Sequence, residues 1–238
     1  MRVDLSRRAV DLPERMDADD ADPEMLARTY ARFTYLNAIL SGRRGVHSRE
    51  IDPRARHGWI RVLDIGCGGG DIARYVARGL RRDGIRAEVV GADIDPRAVR
   101  WASDADADGL VQWRCASSSD LVAEGEQFDV VLSNHVLHHL SAAQLTGLLD
   151  DSAQLTALGG IAVHSDIARS RTAYALYDAL TWPIAGTLLR RSFIREDGLL
   201  SIRRSYTAAE LAAVAPPQWR VQRRFPARLL LVHAGHLV

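Results

Sequence analysis

The sequence contains no lysine, only two cysteines, and no apolar run long enough for a signal peptide or a membrane span. All 31 basic residues are therefore arginine, and 30 acidic residues nearly balance them. The formal net charge of +1 gives no overall field that would favour nucleic acid or a membrane surface. Cys67 and Cys115 lack CxxC spacing and are too few for a disulfide framework. We expect a cytoplasmic protein with a small-molecule partner, no nucleic acid partner and no membrane span.

The apolar pattern changes at Ile60, where short apolar runs begin to alternate with longer amphipathic segments. Strands that are separated by helices are joined by right-handed crossovers and form a mainly parallel sheet. The last apolar runs lie on either side of Pro226 and predict two strands. The sequence thus predicts a Rossmann-like α/β fold: a mainly parallel seven-stranded sheet, helices on both faces and a C-terminal antiparallel hairpin.

The chain is predicted to have two parts. Residues 1–59 form an N-terminal helical cap segment, in which we interpret the acidic stretch 17–22 as a solvated or frayed arm. Residues 60–238 form the small-molecule-binding domain. Within that domain, the stretch near 168–205 is interrupted by Pro183 and is predicted to be a lid-like insertion.

Local signals also predict where three helices begin. Asp95 precedes Pro96, which is typical of a helix N-cap followed by proline at the first helical position. Ser141 and Thr207 each open a capping box, with a Gln or Glu three residues later.

A glycine-rich turn follows the first predicted strand, in the text VLDIGCGGGD. Gly66, Gly68 and Gly70 let the backbone turn tightly and approach a ligand without intervening side chains. Asp93 ends the next predicted strand, about two dozen residues later, where a carboxylate accepts hydrogen bonds from ribose hydroxyls. This combination predicts an adenosine-containing ligand.

The acidic residue Asp64 distinguishes two classes of adenosine cofactor. A carboxylate two residues before the first loop glycine would repel the pyrophosphate of a dinucleotide but would favour a cationic amino-acid tail. The dinucleotide fingerprint also requires glycine where this chain has Asp71. Both departures favour S-adenosylmethionine over NAD.

The segments VLDIGCGGGD, VVGADIDP and FDVVLSNHVLHHL together resemble the class I S-adenosylmethionine-dependent methyltransferases, over about Ile60 to Asp166. The resemblance implies that Asp64 orients the methionine part, that the loop glycines admit the cofactor and that Asp93 holds the ribose. It also implies that Ile94 packs on the adenine.

Two further positions are assigned to the cofactor site with less direct support from the sequence. Many members of this family carry an acidic residue that reaches the adenine amino group, and Ser117 stands near that position here. A polar turn is the alternative for this serine. Asn134 ends the predicted strand FDVVLSN and is assigned to the same site.

Three histidines follow that strand, at the edge where an open parallel sheet binds ligands. His139 and His138 are the preferred candidates for a general base, and His135 is a weaker one, because a histidine pKa of about 6.5 suits proton removal from a phenol. Packing or capping roles remain open for all three.

A metal site is the alternative for this histidine cluster. Some related methyltransferases carry Glu-x-x-Glu-His at the corresponding stretch and bind a divalent ion there, whereas this chain replaces both glutamates with histidine. Imidazoles favour zinc or iron over magnesium. His164 and Asp166, near the end of the following strand, would complete either a metal site or a base relay. The preferred assignment is that no metal binds.

Aromatic side chains are predicted to form the acceptor pocket. Tyr30 and Phe33 come from the predicted N-terminal helix, and Tyr174 and Tyr177 come from the insertion. Ordinary core packing is the alternative for each of them. Together they favour an aromatic or pyrone-type acceptor.

The whole chain resembles the small-molecule methyltransferases that accompany bacterial type III polyketide synthases, notably in YARFTYLNAILSG and REDGLLSIRRSYTAAEL. This resemblance implies O-methylation of a hydroxyl on an aromatic or pyrone ring. Ring C-methylation of a quinone-type substrate is the main alternative. An NAD-linked oxidoreductase and a non-catalytic S-adenosylmethionine-binding module remain as further alternatives.

Overall fold

The computed structural model describes residues 3–40, 42–55 and 58–235. The remaining residues of the predicted cap and domain, 1–2, 41, 56–57 and 236–238, lie outside the described residues. The strands are β1 Trp59–Ile65, β2 Arg86–Asp93, β3 Gln112–Cys115, β4 Phe128–Asn134, β5 Thr156–Ile167, β6 Arg220–Arg224 and β7 Arg228–Ala234. The helices are α1 Pro23–Leu40, α2 Arg43–Val46, α3 Asp52–Ala55, α4 Asp71–Arg82, α5 Pro96–Asp104, α6 Ser118–Ala123, α7 Ala142–Leu155, α8 Arg171–Thr181, α9 Ile194–Arg204 and α10 Ala208–Val214.

The seven strands form one sheet in the order β3-β2-β1-β4-β5-β7-β6. The first five are parallel, and β7 runs antiparallel to both β5 and β6. The predicted fold class is therefore confirmed, including the C-terminal hairpin.

The central strands are apolar on both faces because helices cover both sides of the sheet. Leu63 and Val131 lie in one buried cluster, whereas Val62 and Val130 lie in the other. Successive side chains on a strand point to opposite faces, so each strand contributes to both clusters. Because β1, β2, β4 and β5 are parallel, their carboxyl ends lie along one edge of the sheet.

The predicted helix starts are confirmed. The Arg97 N–H donates to Asp95 at 2.8 Å at the start of α5. Capping boxes at Ser141 and Thr207 begin α7 and α10. These short-range hydrogen bonds satisfy backbone N–H groups that the helices themselves leave unpaired.

Residues 4–22, which we call the N-terminal strap, are held by α9 and α5. The Arg15 and Met16 N–H groups donate to the Asp197 carboxylate at 3.0 and 2.9 Å. Arg97 donates to the Ala18 carbonyl at 2.9 Å. The strap is therefore anchored by both side-chain and backbone hydrogen bonds.

The predicted insertion is mostly helical and contains α8 and α9. The Tyr177 hydroxyl on α8 donates to the Ile194 carbonyl of α9 at 2.8 Å, and Gly198 leaves room for this contact. Within the part of the chain that the structure describes, no helix is both long and apolar enough to cross a membrane.

Candidate active site

Three of the four loop glycines are predicted to line the cofactor site, and they differ in how closely other residues pack against them. Gly66, Gly68 and Gly70 have φ values of 65°, 52° and 74°, in the left-handed region that favours glycine. A Cβ at Gly66 would lie 2.6 Å from Val136, and one at Gly70 would lie 2.3 Å from Trp113. A Cβ at Gly68 would meet no atom within 4 Å. Gly66 and Gly70 are thus also required by packing, whereas Gly68 leaves space for a ligand.

Asp93 is positioned by the glycine loop. Its carboxylate accepts the Gly68 N–H at 2.8 Å and the Asp95 N–H at 2.9 Å. Burial raises the pKa of this carboxyl above its usual value, although both hydrogen bonds oppose the shift. Because Asp93 is half-buried and each carboxylate oxygen has a second lone pair, it can also accept ribose hydroxyls.

Asp64 is a buried carboxyl near the same loop. Its Oδ2 makes no hydrogen bond to any described residue. Burial, together with the nearby Asp71 and Asp93 carboxylates, raises its pKa well above the usual value. A cationic ligand group would offset both the repulsion and the missing partner. This environment fits the ammonium group of a methionine moiety.

The other predicted cofactor residues differ in whether their side chains are exposed or already hydrogen-bonded within the protein. The Ile94 side chain is 75% exposed and offers an apolar surface to an adenine ring. The Ser117 hydroxyl caps α6, donating to Asp120 at 2.7 Å and accepting its N–H. Asn134 Oδ1 accepts a hydrogen bond from Arg228 at 2.5 Å. Ser117 and Asn134 therefore already make hydrogen bonds within the protein.

His138 lies between two buried carboxylates. Its Nδ1 is 2.8 Å from Asp166 Oδ1, and its Nε2 is 3.4 Å from Glu14 Oε1. Burial alone would lower the pKa of His138, but Asp166 and Glu14 outweigh it and raise the pKa to about 10. His138 is therefore an imidazolium at neutral pH, and both of its nitrogens face acceptors.

His139 has a different environment, although its ring packs 4.2 Å from that of His138. Its Nδ1 lies 3.0 Å from Asp17 Oδ2, and its Nε2 lies 3.9 Å from Glu14 Oε2, too far for a hydrogen bond. The side chain is 30% exposed. Nδ1 of His139 therefore faces the Asp17 carboxylate, and Nε2 makes no hydrogen bond to a described residue.

His135 is held by a buried arginine. Its backbone has φ 61°, a left-handed conformation that is uncommon outside glycine, and its N–H donates to the Ser165 carbonyl. Arg228 Nη1 lies 3.1 Å from His135 Nε2. Burial, together with Arg228, lowers the pKa of His135 to about 3. The ring is therefore neutral, with Nε2 accepting from the guanidinium.

The structure thus brings the three predicted histidines together, with His135 and His138 ring centroids 6.2 Å apart, and places Asp166 beside them, as the sequence suggested. It places His164 apart from them. His164 Nδ1 is 2.8 Å from the Ser133 hydroxyl, and burial lowers the pKa of this histidine to about 3. Among the three clustered histidines, His135 and His138 contact Asp166, whereas His139 contacts Asp17 and Glu14.

Three residues of this cluster were not predicted from the sequence: Glu14, Asp17 and Arg228. The stretch from Asp17 was expected to be a solvated arm, but its first residue contacts His139 and is only half exposed. Glu14 is buried, and its pKa is lowered because its histidine contacts outweigh burial. Arg228 is buried as well, which lowers its pKa to about 10. No local motif links these positions to the histidines.

The four predicted acceptor-pocket aromatics lie in two places. Tyr30 is buried, with its Cβ 3.0 Å from the point where a Cβ on Gly69 would lie, so it covers the glycine loop. Phe33 is half-buried and packs in the same small cluster as Tyr30. Tyr174 and Tyr177 are half-buried on α8, where the Tyr177 hydroxyl binds α9. The structure therefore places Tyr30 closest to the cofactor loop.

Comparison with known proteins agrees with this geometry. A family model described as a methyltransferase domain matches residues 62–160. The ubiquinone biosynthesis O-methyltransferase of Roseobacter denitrificans is 36% identical over 180 residues, which are 73% of this chain and 68% of that protein. The enzyme of the same name from a Ruegeria species is 33% identical over 178 residues, which are 72% of this chain and 68% of that protein.

Solved structures agree in fold. A plantazolicin methyltransferase in complex with S-adenosylhomocysteine has a TM-score of 0.59 at 11% identity, covering 89% of this chain and 96% of that one. Human N-acetylserotonin methyltransferase in complex with S-adenosylmethionine also has a TM-score of 0.59, at 12% identity, covering 91% of this chain and 57% of that one. Taken with the sequence relatives, these findings show that the chain belongs to the class I S-adenosylmethionine-dependent methyltransferases and uses S-adenosylmethionine as its cofactor.

Proposed function

We propose that this methyltransferase O-methylates a phenolic hydroxyl on an aromatic ring of the quinone-precursor type. The relatives above are named for O-methylation in ubiquinone biosynthesis, which supports a quinone-type ring over the polyketide-type ring that the sequence suggested. The observation that carries the O-methylation proposal is the pair formed by His139 Nδ1 and Asp17, with His139 Nε2 making no hydrogen bond to a described residue.

The cofactor would be held by residues of the glycine loop and its neighbours. Asp64 would face the ammonium group, Gly68 would let the backbone approach, and Asp93 would accept the ribose hydroxyls. Ile94 would cover the adenine. The bound cofactor supplies an electrophilic methyl group, so the remaining chemical requirement is a nucleophilic oxygen placed in line with it.

His139 would supply that nucleophile by removing the phenol proton. A phenol with a pKa of about 10 is ionised to roughly one part in a thousand at pH 7, a deficit of about 4 kcal/mol. Asp17 would hold the Nδ1–H tautomer, and Asp17 and Glu14 would stabilise the imidazolium that forms. His138 and Asp166 would fix the backbone and ring positions beside it.

The geometry favours a protonated His138 over a metal-bound His138 at this cluster. Glu14, His138 and His139 form one possible ligand set, and His135, His138 and Asp166 form another. Both sets require His138, whose imidazolium already lies between two carboxylates. A metal in either set would have to displace the proton on one His138 nitrogen and replace that nitrogen's carboxylate contact. We therefore propose metal-independent proton removal.

Methyl transfer to a panel of acceptors tests the proposed function. The purified protein would be incubated with labelled S-adenosylmethionine and a dihydroxybenzoate, a catechol or a hydroxypyrone, and products would be fragmented by mass spectrometry. We expect transfer to a ring hydroxyl of the dihydroxy-aromatic acceptors. Methyl groups found on ring carbon would favour the C-methyltransferase alternative, and preference for the pyrone would favour the polyketide-type acceptor.

Replacing Asp93 tests the proposed ribose contact. Asp93→Ala removes the acceptor for the ribose and for two loop N–H groups, so S-adenosylhomocysteine affinity should fall by about 1–3 kcal/mol in calorimetry. Asp104→Ala is a matched control, because Asp104 is an exposed carboxylate at the end of α5. Unchanged affinity in a folded Asp93→Ala protein would remove Asp93 from the site.

A further inference from the structure

A second cluster of metal-ligating side chains, which shares no residue with the histidine cluster, lies where the cap segment meets α4. His47–Ile51 forms a π-helical turn just before α3. In a π turn the backbone hydrogen bonds join residues five apart, and here the Asp52 N–H donates to the His47 carbonyl. The two side chains therefore lie together, with His47 Nε2 3.2 Å from Asp52 Oδ1.

One face of α4 holds the His47 ring in place. Tyr75, Gly79 and Asp83 are spaced four residues apart and share that face. A Cβ on Gly79 would lie 2.7 Å from His47 Cε1, so only glycine leaves room for the imidazole there. The Tyr75 ring meets the imidazole edge-on, with centroids 5.6 Å apart. Asp83 caps the end of α4 beyond them.

His47 lacks the hydrogen bonds that a buried histidine normally makes. It is only 7% exposed, and neither ring nitrogen makes a hydrogen bond to a described residue. Its close approach to Asp52 does not have hydrogen-bond geometry. Because buried polar groups are almost always satisfied, this environment indicates a ligand that binds the imidazole nitrogen.

We propose that His47, Asp52 and Asp83 bind a divalent transition-metal ion of the zinc type. One ligand atom from each residue lies within 4.8 Å of the others. A tetrahedral ion with bonds of about 2.0–2.2 Å needs neighbouring ligand atoms about 3.3 Å apart, close to the separation of the His47 and Asp52 atoms. An imidazole with two carboxylates suits zinc, cobalt or nickel better than magnesium.

The contact of Arg82 with Asp83 is compatible with a bound ion. Arg82 contacts both Asp83 oxygens, at 2.8 and 3.1 Å, but its side chain is 76% exposed. An exposed pair of this kind contributes little, and the Asp83 carboxylate keeps lone pairs for a metal. The bound ion would join the cap segment to the end of α4, about 18 Å along the helix from the cofactor loop.

Metal titration of the chelator-stripped protein tests this proposal. Zinc binding would be measured by calorimetry, and cobalt binding by the visible spectrum of the ion. We expect one site whose affinity falls by about 10- to 100-fold or more in Asp83→Asn. Zinc should raise the melting temperature of the wild type but not of this variant. His47→Gln should lose the cobalt spectrum as well.

Asp104→Asn is the matched control, since it makes the same chemical change at an exposed carboxylate that belongs to no candidate ligand set. Asp83 is also exposed, so Asp83→Asn should fold even if His47→Gln does not. The proposal is overturned if the wild type binds neither ion, or if Asp83→Asn binds both as tightly as the wild type does.

Discussion

Replacing His139 with alanine should lower the turnover number for phenol methylation by about 10²- to 10⁴-fold while leaving S-adenosylhomocysteine affinity unchanged. The cause would be loss of the proposed base, which Asp17 contacts at Nδ1 and whose Nε2 makes no hydrogen bond to a described residue. Initial rates at saturating acceptor, together with calorimetry of the cofactor product, would separate the two quantities.

The pH dependence of the His139→Ala variant distinguishes a base from a packing residue. A phenol ionises unaided near pH 10, so the variant should recover part of its lost rate as the pH rises toward that value. At a temperature well below the melting transition, a chelator should leave the wild-type initial rate unchanged, because the proposed proton removal needs no metal. Full activity of His139→Ala would exclude His139 as the base. Loss of activity in chelator by Asp83→Asn, which lacks the proposed zinc site at α4, would favour a metal at the histidine cluster.

The features that could be predicted from the sequence depend on short stretches of chain. The strand-to-helix turn at Gly66, the N-cap at Asp95 and the capping boxes at Ser141 and Thr207 all involve residues within a few positions of one another. The parallel sheet follows from the alternation of apolar runs with amphipathic segments. The fold and the cofactor loop were therefore accessible without a structure.

The protonation states of the histidines could not be predicted in the same way. The groups that determine them come from distant parts of the chain: Glu14 and Asp17 from the strap, and Arg228 from β7. Neighbours in the sequence thus acquire different properties, since the pKa of His138 is raised and that of His135 is lowered. Sequence spacing identifies the cluster but does not show which member is a base.

Removing the buried Asp166 carboxylate should destabilise the protein by about 3–5 kcal/mol, because the His138 imidazolium would lose its closest counter-charge. The Asp166 oxygens also accept the backbone N–H groups of His138 and Ile167, at 2.9 and 2.7 Å. Urea unfolding of Asp166→Ala and of the wild type would measure this difference. Asp166→Asn should lose less stability, since its amide oxygen still accepts a hydrogen bond.

The effect of Asp166→Ala should also depend on pH in a defined direction. The raised pKa of His138, about 10, exceeds its unfolded value of about 6.5. The stability that the His138 imidazolium contributes is therefore complete below pH 6.5 and is lost as the pH rises toward 10. Because the pKa of Asp166 is lowered, the stability that its carboxylate contributes is present above about pH 4 and is lost on acidification. The difference in unfolding free energy should therefore be largest between about pH 4 and 6.5 and should shrink toward pH 10. A difference that stays constant from pH 5 to pH 10 would mean that His138 is neutral in the folded protein, and His138 would then regain its place as a candidate base.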